Sequence, residues 1–257
     1  MALHKDQAII LSSRVFGESD RIIRFLTLGS GKLSGIAKGG KKSQKRFMNT
    51  LELFNRVNIE YFEKPGAGLV RIENADLLAA NAGIESSFKK MCIASFFAEF
   101  VDKLTREKER NEPLFGVLRD GLESVKTLEF SYFRILYYQL RMLHHLGYMP
   151  NFRTCIQCGK DVPADDATSF SNERGGVVCP SCARSLPHRA YPPGLFARLA
   201  ALTEAPDGEG ADCCAGGSAE GGAIGFERHA RELMEAFMYY HLNVDFKSYR
   251  LLRGVAD

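Results

Sequence analysis

Four cysteines in the middle of the chain form two C-x-x-C pairs whose spacing suits a metal ion. Cys155 and Cys158 form the first pair, Cys179 and Cys182 form the second, and residues 159–178 separate them. Thiolates on two tight turns can surround a tetrahedral Zn²⁺, and four sulfur ligands leave no open position for a substrate. The pattern therefore predicts one structural zinc ion per chain. Two disulfides and a redox C-x-x-C are the alternatives.

A run of basic residues in the first third of the chain is the second chemical signal. Between Lys32 and Arg46 the chain has six basic residues and no acidic residue. Lysines beside Gly39 and Gly40 suit a polyanion, because the backbone can approach a phosphate there and the cations displace its counterions. A solvated loop without a partner is the alternative. The predicted nucleic-acid contacts are Arg14, Lys32, Lys38, Lys41, Lys42, Lys45 and Arg46.

The first 82 residues favour short strands separated by turns. The β-rich runs cover residues 7–16, 21–28, 32–38, 51–62 and 69–78, with Gly, Ser or Pro clusters between several of them. Five short strands predict a small barrel or sandwich over residues 1–82. This segment has thirteen basic and eight acidic residues, whereas the remainder has a net charge of −2. A polyanion partner is therefore expected for the first domain.

From residue 83 the apolar period becomes helical, which predicts an α+β multidomain protein with an α-helical second domain, residues 83–257. The zinc finger is expected as an insertion at about 151–188. Residues 205–225 are rich in Gly, Ala and Asp, contain Cys213 and Cys214, and predict a mobile loop. The predicted helices cover residues 86–105, 114–127, 129–146, a segment from Pro192 to Leu202, and 226–242, with a short tail at 244–255.

No enzyme signature is present in the sequence. The Gly29–Lys32 stretch lacks the first glycine of a phosphate-binding loop, and His144 with His145 lacks the carboxylate spacing of a metalloprotease. His188, six residues after the last cysteine, is an alternative zinc ligand. No stretch approaches eighteen apolar residues and no signal peptide is expected, so the predicted location is a reducing cytoplasm.

Several sequence blocks resemble the bacterial RecO family of DNA repair proteins. They are residues 17–22, 31–33 and 37–39, then 143–150 leading into the first cysteine pair, then 246–252. The resemblance implies that residues 1–82 form a five-stranded oligonucleotide-binding (OB) fold barrel, followed by a helical domain with an inserted zinc finger. It also implies binding of single- and double-stranded DNA at the nucleoid and annealing of complementary strands. Together with RecR, and sometimes RecF, such a protein loads RecA onto DNA coated by single-stranded-DNA-binding protein.

The resemblance further implies that the helical domain docks the acidic, Phe-ended tail of that coating protein. Such a site needs an apolar pocket beside cations. The candidate residues on helix 129–146 are Phe133, Arg134, Tyr137 and Arg141. A second function, from another class, is a zinc-stabilised interaction scaffold whose basic loop contacts an acidic protein. A nucleic-acid-processing enzyme is a third hypothesis, for which the sequence supplies no catalytic set.

Overall fold

The computed structural model describes residues 2–43, 46–64, 66, 68–127, 132–163, 168–205 and 220–256 of the 257-residue chain. The chain divides into two compact units. Unit 1 comprises residues 1–130 and 246–257, and unit 2 comprises residues 131–245. Unit 1 combines strands and helices, and unit 2 is mainly helical, so the predicted α+β class is confirmed.

A closed five-stranded barrel opens unit 1, as the sequence predicted. Strand β1 pairs antiparallel with both β2 and β4, and β3 closes the barrel through a short parallel pairing with β5. Val57, Ile59 and Tyr61 alternate into the core of the barrel. The strands are β1 (Ala2–Phe16), β2 (Asp20–Thr27), β3 (Gly31–Ala37), β4 (Arg56–Glu63) and β5 (Val70–Ala79).

Strand β4 begins at Arg56, five residues later than the alternation predicted. The preceding Phe54 has φ +68°, a left-handed conformation that a strand cannot contain. The side-chain amide of Asn55 donates to the carbonyls of Asn49 and Thr50, at 2.8 and 3.2 Å. Apolar side chains before β4 are thus buried by a turn rather than by a strand.

The helices, numbered in chain order, follow the barrel. They are α1 (Phe88–Leu104), α2 (Glu112–Thr127), α3 (Tyr132–His145), α4 (Pro180–Ala183), α5 (Leu195–Glu204), α6 (Glu220–Leu242) and α7 (Lys247–Ala256). Helices α1, α2 and α7 belong to unit 1, and the others belong to unit 2. Asn111 caps α2, because its side-chain oxygen accepts the backbone N–H of Leu114 at 3.1 Å.

The C-terminal segment, predicted as a short tail, is helix α7 and packs on α1. The Phe246 ring stacks on Phe100 with centroids 5.2 Å apart, and Tyr249 lies 5.0 Å from Phe96. Phe246, Tyr249 and Leu252 recur at a spacing of three residues, so they share one buried face. Burial of this face explains why so short a segment is helical in the folded protein.

Unit 2 contains a small sheet of β6 (Ser169–Ser171), β7 (Gly176–Val177) and β8 (Arg189–Ala190). The β6–β7 pairing forms a short hairpin between the two cysteine pairs. Helix α6 starts at Glu220, six residues before the predicted start, so the end of the predicted loop is helical. Its glycines lower helix stability by about 1 kcal/mol each but do not forbid a helix. The rest of that loop, with Cys213 and Cys214, lies outside the described residues.

Within the described part of the chain, no helix is both long and apolar enough to cross a membrane.

Candidate metal centre and nucleic-acid interface

The four cysteines of the two C-x-x-C pairs converge in unit 2. The sulfurs of Cys155, Cys158, Cys179 and Cys182 all lie within 4.8 Å of one another. A tetrahedron with Zn–S bonds of about 2.3 Å has edges of about 3.8 Å between sulfurs. The Cys158 and Cys179 sulfurs are 3.8 Å apart. The cluster is therefore close enough to hold a metal ion, and its dimensions suit tetrahedral thiolate coordination.

Local backbone structure aims the sulfurs at a common point. Gly159 follows the first pair with φ +72°, a conformation that glycine adopts without strain, and its N–H donates to the Cys155 carbonyl at 2.8 Å. The second pair opens α4, where the Cys182 N–H donates to the Cys179 carbonyl at 3.0 Å. The Cys179 N–H also donates to the Cys155 sulfur at 3.4 Å. Each pair thus forms a tight turn with its sulfurs on one side.

The electrostatics of the cluster favour a bound cation. Burial raises the pKa of Cys155, but backbone N–H groups, first that of Cys179, outweigh it and lower the pKa to about 6. The thiol of Cys179, together with burial and the other thiols, raises the pKa of Cys182 to about 12. Four adjacent thiolates repel one another unless a cation neutralises them, and soft sulfur ligands suit Zn²⁺. His188 is outside the cluster, and its Nδ1 lies 3.0 Å from the Leu186 carbonyl.

Residues 38–43, which we name the basic turn, follow β3 at the edge of the barrel. The side chains of Lys38, Lys41 and Lys42 are exposed. The Lys41 N–H donates to the Ser19 carbonyl at 2.9 Å, and the Gly39 N–H donates to the Asp20 carboxylate at 2.8 Å. These bonds fix the backbone of the basic turn against the turn between β1 and β2. The three ammonium groups therefore extend from a backbone whose position is fixed.

The other predicted cations of the barrel differ in their environments. Arg14 is exposed near the end of β1, and Lys45 lies outside the described residues. The Arg46 guanidinium donates to the Lys38 carbonyl at 2.9 Å and lies 3.6 Å from the Glu73 carboxylate. It also lies 5.0 Å from the centre of the Phe47 ring. Arg46 therefore braces the basic turn, and part of its charge is already neutralised.

Lys32 is buried, so the prediction that it contacts nucleic acid is corrected. Its ammonium donates to the Asp102 carbonyl oxygen and lies 3.9 Å from the Asp102 carboxylate. Arg24 binds the same carboxylate at 2.7 Å. Desolvation lowers the pKa of Lys32, and the nearby carboxylate opposes that shift. Lys32 joins the barrel to α1 within unit 1 and does not offer its charge to solvent. No sequence signal links it to a carboxylate seventy residues away.

The four residues predicted to dock an acidic tail have unequal positions on α3. Tyr137 is buried, with its ring 5.1 Å from that of Tyr138, so it does not line a surface. Arg134 and Arg141 are half-buried. Phe133 is also half-buried and stacks on Phe226 of α6, with centroids 4.7 Å apart.

An apolar cavity of about 350 Å³ lies beside Phe226 in unit 2. The Arg198 guanidinium lies 5.3 Å from the centre of the Phe226 ring. The cavity combines an aromatic wall, two prolines and a cation, which is the chemistry that an apolar, anionic chain end requires. No single stretch of the sequence indicates this cavity, because its residues come from separate segments. They are Pro192, Pro193, Gly194, Leu195, Arg198, Gly225, Phe226 and His229.

Comparison with known proteins gives consistent matches over most of the chain. Residues 1–81 match the family model described as Recombination protein O N terminal, and residues 85–250 match Recombination protein O C terminal. The DNA repair protein RecO of Thermoanaerobacter sp. strain X514 is 35% identical over 183 residues, which are 71% of this chain and 72% of that protein. RecO of Myxococcus xanthus is 34% identical over 79% of this chain and 83% of its own length. RecO of Desulfatibacillum aliphaticivorans is 30% identical over 96% and 95% of the two chains.

Proposed function

Because the chain belongs to the RecO family of DNA repair proteins, we propose that it is a DNA-binding recombination mediator. It binds single- and double-stranded DNA, anneals complementary strands and acts in the cytoplasm at the nucleoid. With RecR, and with RecF where that protein is required, it helps to load RecA onto DNA coated by single-stranded-DNA-binding protein. In this proposed role the protein acts by binding DNA and other proteins, and it does not catalyse the making or breaking of covalent bonds.

The observation that carries the proposal is the basic turn on the barrel. Lys38, Lys41 and Lys42 are exposed, and backbone N–H groups of their segment, rather than the ammonium groups, make the bonds to Ser19 and Asp20. Ammonium groups on a turn of fixed conformation can neutralise phosphates without contacting base edges, so such binding does not depend on sequence. Two strands held on one protein surface have a raised effective concentration, which promotes annealing.

The test is charge reversal within the basic turn. Lys41→Glu with Lys42→Glu removes two phosphate contacts, so single-strand affinity falls and the slope of log K against log salt becomes shallower by about 1.4. Annealing of complementary strands slows in parallel. Fluorescence anisotropy over a salt series gives both the affinity and the slope.

The matched control is Arg106→Glu with Lys247→Glu, two exposed positions of unit 1 outside the basic turn. Both double variants change the net charge from +3 to −1. A basic-turn variant that binds and anneals like the control would contradict the proposed surface. Binding to an acidic protein without measurable DNA affinity would instead favour the interaction scaffold.

We also propose that the four-cysteine cluster holds one structural Zn²⁺. A closed Cys₄ site offers no position for a substrate, so the ion stabilises the segment at about 151–188. Its folding role explains how a segment with strands of only two or three residues holds a defined shape.

For the acidic tail of the single-stranded-DNA-binding protein, we propose the cavity beside Phe226. Arg198 is the cation that receives the terminal carboxylate, and Phe226 with Pro193 forms the apolar wall. We expect Arg198→Glu to abolish annealing of strands coated by the full-length protein. Annealing of naked strands by the same variant is expected to remain, which separates this site from the basic turn. The parent protein should anneal strands coated with the full-length coating protein faster than strands coated with a tailless form. Equal rates on the two kinds of coated strand would contradict the proposal.

A further inference from the structure

The end of strand β1 exposes apolar side chains on both of its faces. Val15 is 60% exposed and Phe16 is 53% exposed, although both belong to the barrel's longest strand. Residues 8–11 of the same strand are buried, so β1 leaves the core before it ends. About half of the Phe16 surface stays in contact with water, and covering it with a ligand is favourable.

Phe16 lies beside the basic turn. It pairs with Asp20 on β2, and the Asp20 carboxylate accepts the Gly39 N–H of the basic turn at 2.8 Å. Two strand spacings, about 10 Å, therefore separate β1 from the basic turn. Arg14 is exposed on the same face of β1, two residues before Phe16 and about 7 Å away. The ring thus has positive charge near it in two directions, along β1 and across the sheet.

The space next to the ring is open. Gly17 follows with φ +62°, and a Cβ built at that position would meet nothing within 4 Å. Glu18, at the tip of the turn, is an exposed acidic side chain nearby. Its carboxylate repels phosphates at the tip itself, which favours a strand that crosses the ring between Arg14 and the basic turn.

We propose that Phe16 stacks on an unpaired base of single-stranded DNA while Arg14, Lys41 and Lys42 hold the flanking phosphates. The inference rests on the proposed DNA binding and adds a base contact to it. Aromatic rings in positively charged grooves bind successive bases without sequence preference, because every base has a π-face. Bases in a duplex are already stacked and paired. Phe16 therefore increases affinity for single strands relative to double strands.

The absence of tryptophan from the chain makes a direct measurement possible. Phe16→Trp places a single indole at the proposed stacking position, and Phe88→Trp places one at another exposed phenylalanine, on α1. We expect an oligothymidine strand to quench the fluorescence of Phe16→Trp and to leave that of Phe88→Trp nearly unchanged. An abasic strand of equal length has the same phosphates without bases, and it should quench much less.

Affinity gives the second readout. Phe16→Ala should weaken binding to oligothymidine by about 5-fold or more, whereas Phe16→Trp should retain it. Neither change should alter binding to the abasic strand. Thermal unfolding by circular dichroism checks that both variants fold, as expected for an exposed side chain.

Two results would overturn the inference while leaving DNA binding intact. One is equal affinity of Phe16→Ala and the parent for oligothymidine, with the Lys41→Glu and Lys42→Glu double variant still impaired. The other is equal quenching of Phe16→Trp by the oligothymidine and abasic strands, which would assign the ring to a phosphate-lined surface without stacking. Failure of the parent protein to bind either strand would overturn the proposed function itself, and the stacking role with it.

Discussion

The buried charge cluster of Lys32, Asp102 and Arg24 predicts an asymmetry between two substitutions. Asp102 is 8% exposed and serves both cations, whereas Lys32 is one of two partners of Asp102. Asp102→Ala leaves the Lys32 ammonium buried with only a carbonyl acceptor. Lys32→Met leaves Asp102 still bound to Arg24 at 2.7 Å and fills most of the same volume. Both substitutions break the Lys32–Asp102 pair. Asp102→Ala leaves the Lys32 ammonium without a carboxylate partner, whereas Lys32→Met leaves the Asp102 carboxylate paired with Arg24.

The magnitudes follow from burial. Removing one partner of a buried ion pair costs about 3–5 kcal/mol because the other charge is stranded. Arg24 is 38% exposed and can be rehydrated, so the lower end, about 3 kcal/mol, is expected for Asp102→Ala. For Lys32→Met the remaining Arg24 contact limits the loss to about 1 kcal/mol. The double variant Lys32→Met with Asp102→Leu should recover part of the stability, because it removes both buried charges.

Urea unfolding followed by circular dichroism measures the free energy of unfolding, and DNA titrations over a salt series are run on the same preparations. We expect Lys32→Met to retain the parent's salt slope, unlike the variant with Glu at positions 41 and 42. A Lys32→Met protein of unchanged stability and reduced DNA affinity would refute the assignment of Lys32 to the fold. Equal losses of stability for Lys32→Met and Asp102→Ala would refute the role of Arg24.

Three further predictions concern the metal, the C-terminal helix and one glycine. Freshly purified reduced protein should contain about one zinc ion per chain by metal analysis, and Cys179→Ser should lose the ion and become sensitive to proteolysis at about 151–188. Glu99 accepts the N–H groups of Lys247 and Ser248 at the start of α7. Although burial raises its pKa, bonds from Lys103 and Ser248 lower it overall. Glu99→Gln should therefore cost about 2 kcal/mol at pH 7, a difference that shrinks as the pH falls below about 4. Gly31→Ala should destabilise unit 1 by more than Gly17→Ala in urea unfolding. Both glycines have positive φ, but only at Gly31 would a Cβ meet a backbone atom, the Glu109 oxygen at 2.2 Å.

Each of these has a clear contrary outcome. If the purified protein contained no metal, and Cys179→Ser were as resistant to protease as the parent, the prediction of a structural zinc ion would be refuted. The Glu99 carboxylate contributes its full stability above the pKa that it has in the unfolded chain, and this contribution is lost as the pH falls. If the destabilisation caused by Glu99→Gln grew at lower pH, the proposed role of the carboxylate would be wrong. Equal effects of the two glycine substitutions would show that the conformation, and not the contact with Glu109, determines the cost.

Local patterns were enough to predict the barrel and the cysteine cluster. The alternation in β4 and the repeated turn residues determine which side chains face inward, and these signals are contained within a few residues. The two C-x-x-C pairs are similarly informative because the chemistry of the ion restricts where the sulfurs lie. The cap at Asn111 is local too, since the bond spans three residues. In each case the sequence signal is contained in short segments, although the contacts that complete the barrel and the cysteine cluster join distant residues.

Features that depend on distant contacts were not predictable from the sequence. Helix α7 forms because Phe246 and Tyr249 find the rings of α1, nearly 150 residues earlier. Tyr137 was a plausible surface aromatic by its spacing with arginines, but the helix presents it to the core of unit 2. The cavity beside Phe226 is assembled from residues 192–198 and 225–229. Amphipathic spacing indicates that a face is buried, but it does not identify what covers the face.

The basic run of the barrel shows why charge alone is a poor guide to a nucleic-acid surface. Lys32 and Lys38 are six residues apart and were predicted to have the same role, yet one is buried against Asp102 and the other is exposed. Substituting either lysine can lower DNA affinity in a crude assay, because a destabilised barrel also binds poorly. The salt slope separates the two causes. Loss of folded protein lowers affinity equally at every salt concentration, whereas loss of a phosphate contact changes the slope itself. A cationic residue is therefore assigned to a phosphate contact only if its substitution changes that slope.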